Sequence, residues 1–228
     1  MRSPWVRDDD FRMPIVKGMA RTKPTERAGT RSLSDEEMRL IWPLLDECST
    51  FGRVVRMLLL TGQRRFEVAH MEWKELGAEG VWAIPAERYK TKRSHFVPLS
   101  RTALAIVEAQ PRTGALVFPS AANTKFSGFA THKLALDRKV TERNGGEPLK
   151  PWRLHDLRRT AKSLMTRAGV RPDVSERVLG HVIAGVEGVY DRHSYLDEKR
   201  AALETLAAMV DRILNPASNV LPLAKVTA

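Results

Sequence analysis

The sequence predicts a mainly α-helical domain (α+β) that carries one small antiparallel β-hairpin. Only residues 81–84 and 95–99 have the length and composition of strands, and the polar segment that joins them is short enough to keep them antiparallel. Elsewhere apolar residues recur at helical spacing. A clear example is the run Phe51, Val54, Val55, Leu58 and Leu59.

The first helix is predicted to begin after Ser34. Ser34 and Glu37 have the spacing of a capping box, and Leu33 can pack against Met38 as the accompanying hydrophobic staple. Pro43 is expected to kink this helix, because proline cannot donate the hydrogen bond of a helix interior. Further helices are predicted over residues 50–61, 64–71, 102–108, 129–140, 154–168, 172–179 and 197–214.

The two ends of the chain differ from the part between them. Residues 1–31 mix charges with prolines and show no sustained period, which is typical of a linker or an arm. Residues 215–228 contain proline and are expected to form a disordered tail. We therefore expect one folded domain over residues 32–214.

The charge of the chain favours a polyanionic partner. Lysine and arginine total 38 against 27 acidic residues, which gives a net charge of +11. Within residues 150–171 the basic residues are opposed by Asp156 alone. Nucleic acid is the expected partner. An anionic membrane surface is less consistent with the sequence, because no amphipathic anchor is visible.

Other classes of site find little support in the composition. Cys48 is the only cysteine, so neither a disulfide framework nor a cysteine-rich metal site is expected. His70, His95, His132 and His193 show no ligand-like pairing, and we expect no metal and no cofactor. No apolar run approaches the roughly 18 residues of a membrane span, and a signal peptide is not apparent. We expect a soluble, cytoplasmic protein.

The helix predicted over residues 154–168 has an apolar side and a cationic side. His155 and Arg158 share one face, with Lys162 one turn further along it. A guanidinium group can hold two phosphate oxygens, and an imidazole beside it can move a proton or donate a hydrogen bond. A phosphodiester suits this face, although a solvated basic helix explains His155 and Arg158 equally well. The apolar stripe, expected to be buried, comprises Leu154, Leu157, Ala161, Leu164 and Met165.

Arg64 and Glu67 form a second candidate pair. They lie three residues apart just after Gly62, a glycine that is expected to end the preceding helix. An acid at this spacing can hold the guanidinium group in one rotamer. By itself the pair is more typical of a surface ion pair than of a site.

Several motifs occur in order along the chain. They are Thr61-Gly62-Gln63-Arg64 with Glu67, a lysine between the two strands, His155 with Arg158, Leu179-Gly180-His181, and Tyr190 nine residues after that histidine. Together they resemble the tyrosine recombinase (phage integrase) family, from about residue 32 to residue 214. The resemblance implies the tyrosine recombinase-like (DNA breaking-rejoining enzyme) fold. It also implies a site-specific recombinase that integrates or excises a phage or mobile element.

The resemblance further implies how the reaction proceeds. Tyr190 would attack the phosphodiester and form a 3′-phosphotyrosyl link, which keeps the energy of the broken bond. His155 would be the general base, since tyrosine has an unperturbed pKa of about 10. Lys90 would be the general acid for the leaving 5′ oxygen, and Lys92 is the alternative. Lys90 is favoured because it precedes Pro98 by eight residues, as in relatives.

The remaining motif residues would bind the phosphate. Arg64 and Arg158 would clamp it, Glu67 would support the site, and His181 would donate a hydrogen bond. Two arginines and a histidine can stabilise the charge on the non-bridging oxygens without a metal. Further DNA contacts are expected from Lys92, Arg93, Arg159 and Lys162.

The resemblance implies double-stranded DNA with an attachment or core site as the partner. It implies a tetramer on DNA, a monomer when free, accessory DNA-bending proteins, and a bacterial protein that joins the nucleoid when bound. A type IB topoisomerase shares this set of residues, but the small size and the Leu-Gly-His motif favour a recombinase. A third hypothesis is a basic DNA-binding protein whose catalytic site is vestigial. The complete set of motif residues argues against it.

Two features depart from the family pattern. Gly185 and Gly188 stand where many relatives carry serine or threonine, so we expect the segment before Tyr190 to be mobile. Relatives also carry an N-terminal core-binding domain, so we expect this chain to be the catalytic part of a longer integrase. The apolar side of the last helix can pack on its own domain or on a neighbouring subunit.

Overall fold

The computed structural model describes residues 31–45, 49–181 and 195–216. Its helices are α1 (Asp35–Ile41), α2 (Thr50–Thr61), α3 (Arg65–Ala69), α4 (Arg101–Glu108), α5 (Phe129–Arg143), α6 (Leu154–Arg167), α7 (Pro172–Val178) and α8 (Leu196–Leu214). The strands are β1 (Val81–Ile84) and β2 (His95–Pro98). The predicted mainly α fold with one antiparallel hairpin is confirmed. Outside the described residues lie the arm before Arg31, the segment 182–194 with Tyr190, and the predicted tail from residue 217.

Helix α1 begins as its sequence predicts. The Ser34 hydroxyl accepts a hydrogen bond from the Glu37 amide at 3.2 Å, and the Glu37 carboxylate accepts one from the Ser34 amide at 2.9 Å. Leu33 and Met38 are both buried. The helix ends at Ile41, and Pro43 lies in the 3-10 turn that follows rather than at a kink.

Arg31, the first residue that the structure describes, is bound to a distant part of the chain. The Arg31 guanidinium group donates to the main-chain oxygens of Lys150 and Pro151, both at 3.1 Å, and pairs with Glu37 at 2.5 Å. Arg31 is therefore tied to the segment that leads into α6.

Helix α6 lies at the centre of the core. It packs against α2, α7 and α8, and its predicted apolar stripe is buried throughout. Gly62 ends α2 with φ +65°, and a side chain there would meet Leu179 at 2.9 Å. This glycine is required both by its backbone conformation and by the close approach of the turn after α7.

The last helix packs on its own domain. Helix α8 contacts α6, α7 and β2, and four of its predicted apolar residues are buried: Leu203, Leu206, Val210 and Ile213. Arg39 of α1 donates to the Ile213 oxygen at 2.7 Å and holds the end of α8. In the part of the chain that the structure describes, no helix has the length and apolar composition needed to cross a membrane.

The hairpin pairs Trp82 with Val97 and Ile84 with His95. These four side chains are buried, whereas Phe96 on the opposite face is exposed. The alternation follows from the period of two in a strand. The segment between β1 and β2 therefore leaves the core at a fixed position and carries residues 85–94 to one side of the domain.

Candidate active site

A cleft of about 530 Å³ brings together α3, the start of α6 and the segment between β1 and β2. Among the residues that line it are Arg64, Glu67, Lys90, His155 and Arg158. A second hollow, of about 540 Å³, lies between α2, α4 and α8 and is lined by none of the predicted site residues. Of the two hollows, it is the first that is lined by predicted catalytic residues.

Arg64 is held by Glu67 at the start of α3. The Arg64 amide donates to one carboxylate oxygen of Glu67 and the guanidinium group donates to the other, both at 2.9 Å. The guanidinium carbon also lies 5.2 Å from the centre of the Tyr89 ring. Burial by itself lowers the pKa of Arg64, but the charge and the hydrogen bond of Glu67, together with those of Tyr89, outweigh it and the net shift is upward. Arg64 is therefore a permanently charged group with a fixed orientation.

Arg158 is buried, which argues against the solvated basic helix that the sequence left open for this residue. It is 5% exposed. Its guanidinium group donates to the Gly62 oxygen at 2.6 Å and to the Leu179 oxygen at 2.5 Å. Burial, followed by the charge of Arg64, lowers the pKa of Arg158 to about 10. The group remains charged at neutral pH, and N–H donors not used by the two carbonyls remain available for a ligand.

His155 lies on α6 at the cleft, one turn before Arg158, and is exposed. Burial of part of the ring, together with the charges of Arg159 and Arg158, lowers its pKa. The imidazole is consequently more often neutral near pH 7 and can accept a proton.

Lys90 is exposed at the cleft, and its neighbour Arg88 fixes the segment that carries it. The Arg88 guanidinium group donates to both carboxylate oxygens of buried Glu75, at 2.7 and 2.5 Å. It also donates to the main-chain oxygen of Glu67 at 3.4 Å. Lys92, the alternative acid, is not among the residues that line the cleft, and its ammonium group lies 3.4 Å from the Glu87 oxygen.

The turn that follows α7 is held through two main-chain oxygens. The Val178 oxygen accepts a hydrogen bond from the Gln63 amide group at 2.8 Å and lies 3.1 Å from His95 Nε2. The Leu179 oxygen accepts from the Tyr89 hydroxyl at 3.2 Å as well as from Arg158. These contacts set the position of the residues that follow in the chain.

Gly180 completes this turn with φ +64°. A Cβ atom there would lie 1.7 Å from the Tyr89 hydroxyl oxygen. Tyr89 is therefore a buried residue that occupies the space of the missing side chain.

His181 lies beside Arg158 at the end of this turn. Its Nε2 atom is 3.1 Å from the Arg158 guanidinium group, and its Nδ1 atom contacts the Glu176 carboxylate. Lys162 contacts the other oxygen of the same carboxylate. Tyr190, the predicted nucleophile, lies outside the described residues.

Several cations within residues 150–171 have acidic partners. Arg159 pairs with Asp156, Lys162 with Glu176, and Arg167 with Asp35 at 2.8 Å. Lys92 and Arg93 are exposed in the segment between the strands. The local excess of positive charge seen in residues 150–171 is thus reduced by acids from α1 and α7.

Four residues that hold parts of the site were not predicted to do so from the sequence: Gln63, Glu75, Arg88 and Glu176. Glu176 precedes His181 by five residues within the helix predicted before the Leu-Gly-His motif, and this proximity was a signal that the sequence offered. Glu75 and Arg88 lie 13 residues apart across the first strand, and no local pattern links them. Within the described ranges, no group of three or more His, Cys, Asp or Glu side chains could hold a metal ion.

Comparison with known proteins identifies relatives of this chain. The model of the phage integrase family matches residues 33–195. Prophage integrase IntZ of Escherichia coli (strain K12) is 34% identical over 165 residues, which are 70% of this chain and 39% of that protein. The chain thus spans less than half the length of this curated relative.

Solved structures show the same fold. The λ integrase catalytic core matches with a TM-score of 0.53 at 20% identity, over 66% of this chain and 96% of that one. A λ integrase tetramer bound to a Holliday junction matches with a TM-score of 0.54 at 18% identity, over 67% of this chain and 47% of that one.

Proposed function

Because the chain belongs to the phage integrase family, we propose that it is a site-specific DNA recombinase that cuts and rejoins DNA through a 3′-phosphotyrosyl intermediate. One observation supports this most directly. Arg64, Lys90, His155 and Arg158 come from three separate parts of the chain and line the same cleft. His181 lies at its Arg158 end.

In this proposal the two arginines hold the scissile phosphate. Arg64 has its orientation set by Glu67, and Arg158 by the carbonyls of Gly62 and Leu179. Both side chains are placed before DNA arrives, so they can stabilise the charge that develops on the non-bridging oxygens with little reorganisation. His181 donates a further hydrogen bond to the same phosphate.

The proton transfers fall to His155, Lys90 and Tyr190. Tyr190 attacks phosphorus and gives its proton to His155, whose lowered pKa keeps it neutral enough to act as a base. Lys90 protonates the 5′ oxygen that leaves. The phosphotyrosyl bond retains the energy of the original bond, so a 5′ hydroxyl can rejoin the strand without ATP.

The partner in this proposal is double-stranded DNA that carries an attachment or core site. Recombination joins two such sites, and four copies of the enzyme would act on them. This arrangement is consistent with the λ integrase tetramer on a Holliday junction to which the fold is similar. The net charge of +11 favours association with DNA, and further contacts are proposed for Lys92, Arg93, Arg159 and Lys162.

The test is a covalent trap. The protein is incubated with a library of nicked duplexes, each of which contains a randomised segment. Cleavage beside the nick releases a short strand, and the broken DNA strand then cannot be rejoined. Adducts that survive denaturant are recovered and sequenced. The wild type is expected to form an adduct on a defined sequence, and Tyr190→Phe is expected to form none.

Tyr195→Phe is the matched control, because it removes a hydroxyl from another tyrosine near the end of the family match and should retain the adduct. An undiminished adduct in Tyr190→Phe would exclude that residue as the nucleophile. Absence of any adduct with the wild type, on DNA that it binds, would instead favour a DNA-binding protein without catalysis. Relaxation of supercoiled plasmid without sequence preference would favour a topoisomerase.

A further inference from the structure

Glu176 and His181 form a contact that the motif residues alone do not predict. Glu176 is the fifth residue of α7, and its main-chain oxygen accepts a hydrogen bond from the His181 amide at 3.0 Å. One oxygen of its carboxylate contacts His181 Nδ1, and the other contacts Lys162 of α6. The carboxylate is therefore held between α6 and the imidazole ring.

The partners of the ring define where its proton lies. An ionised carboxylate can only accept a hydrogen bond, so His181 Nδ1 carries a proton. The Arg158 guanidinium group can only donate, so His181 Nε2, 3.1 Å away, is an acceptor in this arrangement. The ring is then neutral, and both nitrogens are engaged.

This arrangement is incompatible with donation to a phosphate from Nε2 unless the ring gains a second proton. We propose that Glu176 is a positioning residue that holds His181 through Nδ1 and stabilises its doubly protonated form, so that Nε2 becomes a donor when the scissile phosphate enters. The inference rests on the proposed function. The added proton comes from solvent, and Arg158 redirects its N–H from Nε2 to a phosphate oxygen.

The charges around His181 agree with this role. Arg158 and Lys162 of α6 are both positive, with Arg64 beyond Arg158, and Glu176 is the acid in direct contact with the ring. Burial raises the pKa of Glu176, but hydrogen bonds from Lys162 and His181 outweigh it and the net shift is downward. Glu176 thus stays ionised near neutral pH, which the imidazolium form of His181 requires.

The experiment compares Glu176→Gln with the wild type across pH. The glutamine can still accept from Nδ1, so the ring keeps its position but loses the nearby negative charge. In the covalent trap, the rate of adduct formation declines as pH rises. This decline is expected to occur at a pH about one unit or more lower in the variant than in the wild type. The maximal rate at low pH should change less, because the geometry is retained.

Asp173→Asn is the matched control. It removes one negative charge from the same short helix, at a residue that pairs with Arg171 at 2.6 Å, and should leave the pH profile in place. In a double variant with His181→Gln, the effect of Glu176→Gln should disappear, because Glu176 acts through the ring. An additive loss would show that Glu176 has only a structural role.

A second readout does not depend on catalysis. The chain has six histidines, and His181→Gln assigns the signal of that ring in a ¹³C-histidine NMR titration. The midpoint for His181 should move to lower pH in Glu176→Gln and remain in place in Asp173→Asn. Equal midpoints in the wild type and Glu176→Gln would overturn the inference. If the wild type forms no adduct that depends on Tyr190, the proposed function would be overturned instead.

Discussion

The α3 side and the α6 side of the cleft each contribute one arginine, and the two are held differently. Arg64 has a carboxylate partner, since Glu67 binds both its amide and its guanidinium group at 2.9 Å. Arg158 is held by the carbonyl oxygens of Gly62 and Leu179. The first guanidinium group is paired by charge, and the second is a buried cation held by dipoles.

The difference explains the opposite shifts of the two pKa values. Burial lowers the pKa of both arginines, but Glu67 reverses the effect for Arg64, whereas the charge of Arg64 adds to it for Arg158. Buried cations without a counter-ion are costly to the fold. In the proposed function a bound phosphate would supply that missing negative charge, whereas in the free protein the two carbonyl oxygens offset part of the cost.

The largest expected effect is that of Arg158→Ala. The rate of adduct formation should fall by roughly a hundred- to a thousandfold, as for loss of one donor to a developing oxyanion. The carbonyls of Gly62 and Leu179 lose a donor, which should lower the free energy of unfolding by about 1–3 kcal/mol. Trap kinetics and urea unfolding measure the two effects. Arg167→Ala, which removes an exposed ion pair from the same helix, should change neither quantity much.

On the α3 side, a change of residues should lower activity strongly but leave stability nearly unchanged. The double variant Arg64→Met, Glu67→Gln removes both members of the ion pair. Adduct formation should again fall by roughly a hundred- to a thousandfold. The free energy of unfolding should change by less than about 1 kcal/mol, because a paired charge is removed together with its partner. Equal destabilisation by this variant and by Arg158→Ala, in parallel urea titrations, would contradict the distinction between the two sides.

His95 tests the turn that holds Arg158. Burial, followed by the charge of Lys199, lowers the pKa of His95 to about 3 from an unfolded value near 6.5. Between these values the unfolded chain binds a proton that the folded chain does not, so stability falls as pH decreases through this window. His95→Gln should remove that loss, which is about 3 kcal/mol at pH 4.5. Urea unfolding at pH 7.5 and 4.5 compares the two proteins, and an equal decrease in both would contradict the assignment.

The smallest effect is expected from Tyr89→Phe. It deletes the 3.2 Å hydrogen bond to the Leu179 oxygen, but Arg158 still donates to that atom. The free energy of unfolding should fall by about 1 kcal/mol, which differential scanning calorimetry would detect as a decrease in Tm of about 2–4 °C. A loss as large as that of Arg158→Ala would show that Tyr89, rather than the arginine, supports the turn. Tyr195→Phe serves as the control. The Tyr195 ring packs against Arg177, whose guanidinium carbon lies 3.7 Å from the centre of the ring.

The order of the helices and the hairpin could be predicted from local patterns in the chain, and the residues of the cleft from the family resemblance that the motifs carry. The capping box at Ser34, the apolar spacing of α2 and α6, and Gly62 as a helix end depend on neighbours within a few residues, and each was predicted. The motif set likewise predicted Arg64, Lys90, His155 and Arg158, which the fold brings to one cleft.

Only the tertiary structure shows how these groups are held. Arg158 lies on the cationic side of α6 in a helical projection, yet the turns after α2 and α7 cover it with two carbonyl oxygens from residues 96 and 21 positions away. Glu75, Glu176 and Asp35 compensate cations that look unopposed along the chain. Burial and electrostatic pairing depend on distances in space, and these are set when separate elements pack together. Local sequence therefore predicts which groups are present, and the packed fold decides their charge, their orientation and the ligand they can accept.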